Sequence, residues 1–490
     1  MTLLVRGVRL LDGPDAPVDL AIEGDRIARI APSGELSPGA DAQVVELEGR
    51  WATPGYADHH VHFTMWAKHL SRLDVSAARE PEDAAEAIRV ALASEHVVEH
   101  TAFVARGFQD ALWSHEPTGA LLDGAALAAG QDGRAIVVVS HDLHTVWLNE
   151  AAAQRFGAPR AGVLREDAAF AVEQAVDREA GEGEDELVGA ALAAAAARGV
   201  TAITDLEMAD NPSVWAGRIR RGLDAVRVTA NVYPEHLALS VARRERTGTV
   251  VPDTEGLVTV GSLKLFADGA LNSRTALCHE PYPGGGRGHA VYGEGELEAV
   301  MADAHAKGFS VALHAIGDLA VQRALDAFEA SGARGTVEHA QLVAPGDLPR
   351  FAELGVGASV HPEHALDDRD VTDSLWADRK SRAFPYGALA DAGAALQFGS
   401  DAPVAPLDPW FAISAAVHRT RDLREPWEPA NAVSIEQALA ASWGSPALVE
   451  GGPADIAVLD DDPRTADMPT LRGMYVALTV SAGRVTHRTY

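Results

Sequence analysis

The stretch TPGYADHHVH, residues 53–62, is the segment from which the fold of this chain is most readily inferred. It predicts a short β-strand that ends in two histidines, His60 and His62. Side chains at positions i and i+2 project to the same side of a strand, so these two imidazoles can contact one divalent ion together. A pair of ordinary surface or core histidines would explain the motif equally well when it is taken alone.

Beyond this stretch, short strands rich in Val, Ile and Ala alternate with helical stretches rich in Ala, Glu and Arg. Such alternation is typical of parallel βα units, and eight of them predict an α/β fold, a (β/α)8 TIM-like barrel. The predicted barrel strands are residues 54–60, 200–206, 226–233, 261–267, 310–315, 335–340, 355–361 and 395–401. His60 and His62 then lie at the carboxyl end of the first strand, on the face where barrel active sites are built.

The two ends of the chain alternate apolar and polar residues, as half-buried antiparallel strands do. This pattern covers residues 2–10, 18–30, 43–51, 454–460 and 475–487. We therefore predict two domains. Residues 1–52 and 452–490 would build a composite β-sandwich from both termini, and residues 53–451 would form the barrel.

Two further predicted strands, residues 101–108 and 135–141, exceed the barrel's count of eight. We place them in an insertion of residues 63–198 after the first barrel strand, far longer than the usual βα loop of about two to six residues. Loops on that face lie over a barrel's active site, so the insertion is predicted to be a lid. Three of its side chains are predicted to face the pocket: Trp113, His144 and Trp147.

The composition excludes several classes of function. The chain has 490 residues with 41 basic and 71 acidic side chains, and its net charge of −30 disfavours nucleic acids and anionic membranes as partners. We find no apolar run of about 18 residues and no secretory leader, and so expect a cytoplasmic protein that acts on small molecules. Cys278 is the only cysteine, which excludes an internal disulfide and a multi-cysteine zinc site. The sequence leaves open whether two copies of the chain form a homodimer.

Three later strand ends also carry residues that bind metals well. His314 and His339 end the fifth and sixth predicted barrel strands, and Asp401 ends the eighth. A single histidine in such a place is more often a hydrogen-bonded structural residue, and an aspartate there often caps the next helix. Two histidines on successive strands make coincidence a weaker explanation. In a metal site, Asp401 could also act as a general base.

Lys264 lies inside the apolar strand GSLKLFADG, residues 261–269. A buried ammonium is costly, so this lysine must either pair with an acid such as Asp268 or react with carbon dioxide to form a carbamate. A carbamate is an anion that can bridge two cations. Both interpretations stay open when only the residue itself is considered.

Eight segments together resemble the metal-dependent amidohydrolase superfamily, and within it the amidohydrolase 3 branch that includes N-substituted formamide deformylases. They span nearly the whole chain in the order found in the branch, and only the lysine motif is distinctive by itself. The segments are PGYADHHVH (54–62), ARGFQDALW (105–113), HTVWLN (144–149), GVLRE (162–166), KLFADGALNSRTA (264–276), HAIGD (314–318), EHAQ (338–341) and GSDAPV (399–404).

The resemblance implies a metal centre that binds one or two divalent ions, with zinc as the expected ion. Its ligands would be His60, His62, Lys264, His314, His339 and Asp401. Lys264 would carry a carbamate derived from carbon dioxide if two ions bind. A metal-activated hydroxide would attack a carbonyl carbon while Asp401 accepts its proton and passes it to the leaving nitrogen. His144 or His364 would help to polarise the carbonyl oxygen. The implied activity is hydrolysis of a non-peptide amide C–N bond in a small molecule.

The chain departs from the family pattern at three places. His361 stands where the family has a glutamine before the strand 7 proline, Ala402 replaces an aromatic residue, and the segment after Trp443 is short. The predicted ligands are all present, but these departures weaken the case for assigning the substrate of a particular family member to this chain. Two alternatives therefore remain: a deaminase or cyclic-amide hydrolase on the same scaffold, and a catalytically silent binding protein, whose relatives usually lose metal ligands.

Overall fold

The computed structural model describes residues 2–13, 16–39, 41–94, 102–110, 113–140, 145–165, 167–179 and 183–489. The chain forms two compact units. Unit 1 comprises Met1–Phe63 and Leu192–Tyr490, and unit 2 comprises Thr64–Ala191.

The strands of the described residues are β1 (Thr2–Leu10), β2 (Val18–Glu23), β3 (Arg26–Pro32), β4 (Gln43–Glu46), β5 (Trp51–Pro54), β6 (Tyr56–Val61), β7 (Leu73–Asp74), β8 (Phe103–Phe108), β9 (Ile136–Ser140), β10 (Thr145–Leu148), β11 (Gly162–Arg165), β12 (Val200–Asp205), β13 (Arg227–Val232), β14 (Val258–Phe266), β15 (Val311–Ala315), β16 (Gly335–His339), β17 (Gly357–Val360), β18 (Leu396–Phe398), β19 (Ile456–Leu459), β20 (Val476–Ser481) and β21 (Arg484–Arg488).

The α-helices of the same residues are α1 (Phe63–Ser71), α2 (Pro81–Ser94), α3 (Gly119–Ala128), α4 (Glu150–Phe156), α5 (Asp167–Glu179), α6 (Glu184–Ala197), α7 (Asn211–Arg220), α8 (Pro234–Ala242), α9 (Glu296–Ala306), α10 (Asp318–Ser331), α11 (Leu348–Leu354), α12 (His364–Asp367), α13 (Arg369–Leu375), α14 (Tyr386–Asp391), α15 (Pro409–His418), α16 (Ile435–Ser442) and α17 (Met468–Arg472). Among the described helices, none combines the length and the hydropathy needed to cross a lipid bilayer.

Eight parallel strands of unit 1 form a nearly closed barrel in the order β6, β12, β13, β14, β15, β16, β17, β18. The closure joins the segment after β18 to the end of β6: the Asp401 amide donates to the His60 carbonyl at 2.7 Å, and the His62 amide donates to the Ala402 carbonyl at 2.9 Å. All eight predicted barrel strands are present with small differences at their ends. The predicted TIM-like barrel is therefore confirmed.

The unit formed by β15 and α10 illustrates why these residues adopt these elements. In β15, VALHA, every residue except His314 is buried, as expected for a strand covered on both faces. In α10, Val321, Leu325 and Phe328 are buried at spacings of four and three residues, which places them on one helix face. The helix ends at Gly332, whose φ of 65° lies in the left-handed region that glycine adopts without strain.

The strands from the two termini form a separate sheet, in the order β21, β20, β19, β5, β1, β2, β3, with β4 also paired to β1. The two ends of the chain meet where β19 pairs antiparallel with β5, which sets Ile456 opposite Pro54. The apolar core of this sheet includes Leu3, Val5, Val8, Leu20, Ile22, Ile27, Val45, Leu47, Ile456, Val458, Leu478 and Val480. The strand β5 runs across the predicted domain boundary at residue 52. The division into residues 1–52 plus 452–490 and residues 53–451 stays a prediction.

Unit 2 is built around a sheet in the order β11, β10, β9, β8, β7. β8 and β9 correspond to the strands predicted at residues 101–108 and 135–141. One face of the sheet packs with α2 and α3 in an apolar core that includes Val75, Ile88, Leu92, Phe108, Trp113, Leu122, Ile136, Val138, Trp147 and Val163. The insertion therefore has a hydrophobic core of its own, while its predicted role as a lid over the barrel stays a prediction.

The two tryptophans predicted to face the pocket belong to this core. Trp147 is fully buried, its ring centre lies 6.1 Å from that of Trp113, and its Nε1 donates to the Thr118 carbonyl at 2.9 Å. Trp113 Nε1 donates to the Ala78 carbonyl at 3.2 Å. The prediction that these two side chains face the pocket is wrong, because both are buried in the interior of unit 2. His144 lies outside the described residues.

Replacing Trp147 by alanine is expected to destabilise unit 2 by about 3–5 kcal/mol, because truncating a buried tryptophan leaves a cavity and an unpaired carbonyl at Thr118. Denaturant unfolding, monitored by hydrogen exchange in residues 102–165, measures the loss of stability. Leu127→Ala is the matched control, since Leu127 is 63% exposed in the same unit and its truncation should change stability little. Equal stability of the two variants would contradict the assignment of Trp147 to the core.

Candidate metal centre

The carboxyl ends of the barrel strands bring the predicted ligands to one face. His60 and His62 end β6, Lys264 lies near the end of β14, His314 lies on β15, and His339 ends β16. Asp401 follows β18 by three residues. Parallel strands in a closed barrel all end at the same rim, so residues up to 341 positions apart in sequence become neighbours.

Asp401 lies at the centre of this cluster. Its Oδ1 is 3.5 Å from Nε2 of His60 and 3.5 Å from Nε2 of His62. Its Oδ2 is 3.9 Å from Nε2 of His364 and 4.0 Å from Nδ1 of His339. Burial opposes ionisation, but the adjoining imidazoles hold the pKa of Asp401 well below its usual range. The carboxylate is therefore an anion placed among four imidazoles.

The end of β18 can approach β6 this closely because residue 399 is glycine. A Cβ at Gly399 would lie 2.7 Å from the backbone nitrogen of His60, a distance that no side chain can occupy. Asp58 reinforces the junction, since its Oδ1 accepts the amides of His60 at 3.1 Å and Ser400 at 3.0 Å. Burial nevertheless raises the pKa of Asp58 to about 6.

His60 is oriented by a residue that the sequence did not indicate. Its Nδ1 lies 2.6 Å from Oε2 of Glu338, which is buried on β16, and Thr336 donates to the other oxygen of the same carboxylate. Burial works against ionisation of Glu338, but the hydrogen bond from His60 lowers its pKa to about 2. With Nδ1 donating to this anion, Nε2 of His60 has its lone pair available for a metal. The available signal was an acidic residue directly before the strand-end histidine, His339, on a strand expected to be buried.

Lys264 is buried, with 1% of its surface exposed, and its Nζ has no hydrogen-bond partner among the described residues. Asp268 does not pair with it. Instead, the Asp268 carboxylate accepts backbone amides of Leu277, Ile316 and Gly317 at 2.8–3.0 Å. The alternative in which Asp268 neutralises the ammonium is therefore not supported. Burial lowers the pKa of Lys264, although Glu338 and Asp401 act in the opposite direction.

His314 lies beside the other histidines but outside the tightest groups. Its ring centre is 4.4 Å from that of His339. Its Nε2 lies 3.1 Å from the Gly269 carbonyl, which can only accept, so Nε2 carries the proton and Nδ1 has the lone pair. Burial lowers the pKa of His314 to about 3 and also lowers that of His339 well below its usual value. Both rings are therefore neutral, the form in which imidazole binds metal.

Two histidines after β17 complete the cluster. His364, predicted to polarise a carbonyl oxygen, is buried near Asp401. His361, which the sequence singled out only as a departure from the family pattern, lies with its ring centre 4.7 Å from that of His60 and 4.6 Å from that of His339. Its position among the candidate ligands was not predicted. The signal for it was the spacing HPEH, residues 361–364, directly after a buried strand.

The donor set suits a divalent ion. Within the described residues, three overlapping groups have ligand atoms within 4.8 Å of one another: His60, His62 and Asp401; His60, His339 and His361; and His339, His364 and Asp401. Several of their buried nitrogens have no hydrogen-bond partner in the described part of the chain: His62 Nδ1, His339 Nδ1, His361 Nε2 and His364 Nε2. Buried polar atoms are nearly always satisfied in folded proteins, so a cluster of orphaned nitrogens around a carboxylate points to a bound cation.

Two of the cluster's strand ends have left-handed backbone at residues other than glycine. The φ angle is 73° at His339, 42° at Ala340 and 55° at Asp401. Such conformations cost on the order of 1–3 kcal/mol each and tend to occur at functional sites.

A model of the amidohydrolase family, Amidohydro_3, matches residues 43–487. The protein YtcJ of Bacillus subtilis, described as an amidohydrolase, is 32% identical over 251 residues, which cover 47% of each chain. The N-substituted formamide deformylase of Arthrobacter pascens is 26% identical over 266 residues, which cover 50% of this chain and 48% of that protein. The chain thus spans about half the length of the curated relatives it matches.

Two solved structures share the fold over almost the whole chain. An uncharacterized metal-dependent hydrolase from Pyrococcus horikoshii aligns with a TM-score of 0.80 at 22% identity, over 96% of this chain and 99% of that chain. A second uncharacterized metal-dependent hydrolase, from Pyrococcus furiosus, aligns with a TM-score of 0.78 at 23% identity, over 95% of this chain and 100% of that chain. At these identities, the likeness establishes a common fold.

Proposed function

The chain belongs to the amidohydrolase family, and we propose that it is a metal-dependent hydrolase that cleaves a non-peptide amide C–N bond in a small molecule. The observation that carries the proposal is the convergence of His60, His62 and Asp401. Two imidazole nitrogens each lie 3.5 Å from the same carboxylate oxygen. No ordinary packing requirement explains this arrangement on the functional face of a barrel.

The metal would be held by His60, His62, Lys264, His314, His339 and Asp401, with zinc as the expected ion. A divalent ion here supplies Lewis acidity, which lowers the pKa of a water molecule and polarises a substrate carbonyl. Lys264 would contribute as a carbamate. Its neutral amine forms an N–C bond to carbon dioxide and releases one proton to solvent. The product is an anion at a position where Nζ of Lys264 is buried and has no hydrogen-bond partner in the described segments.

Asp401 is the proposed proton carrier. As a carboxylate it accepts a proton from the attacking water, and as a carboxylic acid it returns that proton to the leaving nitrogen, so the residue ends the cycle unchanged. Its placement among imidazoles keeps it ionised before the reaction. His364 Nε2 is buried without a hydrogen-bond partner among the described residues. When this nitrogen carries the ring proton, it can donate a hydrogen bond to the substrate carbonyl oxygen.

N-substituted formamides are a reasonable first substrate class, because a relative that is 26% identical over 266 residues is named for deformylation of such compounds. The test begins with metal analysis of the purified protein. A panel of N-substituted formamides, N-acyl amino acids and lactams then follows, with released amine detected by a fluorogenic reagent and acid products by mass spectrometry. We expect one amine and one carboxylate per turnover.

The other outcomes of the panel identify the alternatives. Release of ammonia indicates a deaminase, and ring opening without a second product indicates a cyclic-amide hydrolase. A metal-loaded protein that turns over no member of the panel but binds one of them tightly would support the catalytically silent binding protein instead.

Replacing His62 by alanine is expected to weaken metal affinity by about 10–100-fold or more, because loss of a residue that only contacts a metal ligand already has an effect of that size. The metal-free protein should stay folded. The side chain of His62 is 19% exposed, and the Asp401 carboxylate beside it keeps three other imidazoles within 4.0 Å, those of His60, His339 and His364. His60→Ala differs, because it leaves Glu338 buried without its imidazole donor at a cost of about 1–3 kcal/mol. Chelator competition and thermal unfolding of the metal-free variants measure the two effects, and full metal content in His62→Ala would contradict the ligand assignment.

A further inference from the structure

His361 has one ring nitrogen engaged and one available. Its side chain is 2% exposed, and Nδ1 lies 3.2 Å from the carbonyl oxygen of Gly399. A carbonyl oxygen can only accept a hydrogen bond, so Nδ1 carries the proton and the neutral ring has its lone pair on Nε2. The backbone is also fixed, because Tyr386 Oη donates to the His361 carbonyl at 3.0 Å. Such a contact on one nitrogen is the usual support for a metal bond on the other.

The ring of His361 packs against the cluster, with its centre 4.7 Å from that of His60 and 4.6 Å from that of His339. Nε2 of His361 is buried, and no hydrogen-bond donor reaches it from the described part of the chain. One ring nitrogen each of His60, His339 and His361 lies within 4.8 Å of the other two. Zinc–nitrogen bonds measure about 2.0–2.1 Å, so two nitrogens on one ion lie within about 4.2 Å of each other. Small ring rotations therefore suffice to bring the three onto one ion.

We propose that His361 binds the metal through Nε2 and extends the ligand set beyond the six residues of the proposed function, on which this inference rests. A neutral imidazole adds a donor without adding negative charge to the centre. The ion therefore gains affinity without losing the positive charge on which its Lewis acidity depends.

His361→Asn separates a ligand from a structural residue. The asparagine amide nitrogen can still donate to Gly399, but the side chain has no atom at the position of Nε2. We expect its affinity for zinc, measured by competition with a chelator, to fall by about 10-fold or more, and the visible spectrum of the cobalt-substituted protein to change. The metal-free protein should unfold at the temperature of the wild type. Ser359→Ala is the matched control, because Ser359 is buried two residues earlier and should leave zinc affinity unchanged.

Each possible result of this experiment either supports or contradicts the inference that His361 binds the metal. Unchanged zinc affinity and an unchanged cobalt spectrum in His361→Asn would overturn the inference and leave the proposed function standing. A wild-type protein that binds neither zinc nor cobalt would overturn both. If the asparagine variant fails to fold, anomalous diffraction from zinc-loaded wild-type crystals decides: an ion about 2.0–2.3 Å from Nε2 supports the inference, and an ion beyond about 3 Å contradicts it.

Discussion

Replacing Lys264 by alanine is expected to reduce the metal content of the protein from two ions per chain to one or none. If the lysine is carboxylated, its carbamate would supply an additional anion to the metal centre, and an alanine side chain cannot form one. Metal analysis after gel filtration in the presence of bicarbonate measures the loss. Acetate or propionate should restore part of the metal content and of the activity by occupying the space that the side chain leaves.

Lys264→Arg is the matched control for charge, because a guanidinium stays positive and cannot be carboxylated. It should lose metal as fully as the alanine variant does. In the metal-free state, Lys264→Ala should be at least as stable as the wild type, since it removes a buried nitrogen that has no hydrogen-bond partner in the described residues. A wild type that holds one ion and keeps it in Lys264→Ala would show that the centre is mononuclear, with Asp401 still as the base.

Replacing Asp401 by asparagine is expected to lower kcat by about 10²–10⁴-fold at saturating zinc, because an amide cannot accept the proton of the attacking water. A base must be ionised to act, and the adjoining imidazoles hold the pKa of Asp401 well below its usual range, so activity in the wild type falls only at acidic pH below the usual range of an aspartate, where this carboxylate takes up a proton. That acidic limb of the kcat profile should be absent in Asp401→Asn. The pH profile separates loss of the base from loss of metal, which would change the apparent zinc affinity instead.

Asp318→Asn is a suitable control for Asp401→Asn. Asp318 is a buried carboxylate of the same barrel, paired with Arg382 Nη1 at 3.1 Å and outside the metal cluster. Its replacement should lower stability and retain the acidic limb. If Asp401→Asn keeps a wild-type kcat with full metal occupancy, another group carries the proton.

The barrel and the six candidate ligands could be predicted from sequence because both depend on local signals. A buried parallel strand has a short apolar run, and a polar residue at its end must emerge at the common rim of the barrel. His60, His314 and Asp401 each follow this rule. Their proximity therefore follows from topology, without any knowledge of individual contacts.

The remaining features depend on partners that are distant in sequence. Glu338 orients His60 from 278 positions away, and its own segment contains no indication of that partner. His361 joins the cluster because Gly399 lies across from it on the neighbouring strand. Trp147 was assigned to the pocket because an aromatic residue in an apolar strand is equally compatible with a pocket wall and with a core. Only the packing of unit 2 distinguishes the two.

The left-handed backbone at His339, Ala340 and Asp401 implies a trade-off between durability and activity at this rim. Two of the three residues cannot be changed without removing a candidate ligand, so the metal-free chain must tolerate their unfavourable conformations. Natural proteins often give up some stability in this way where function demands a particular geometry. Ala340 has no assigned ligand role, and is therefore the one position of the three where glycine could relax the strain without removing a donor. Attempts to make the protein more heat-resistant should begin at this residue and leave the two flanking strand ends untouched.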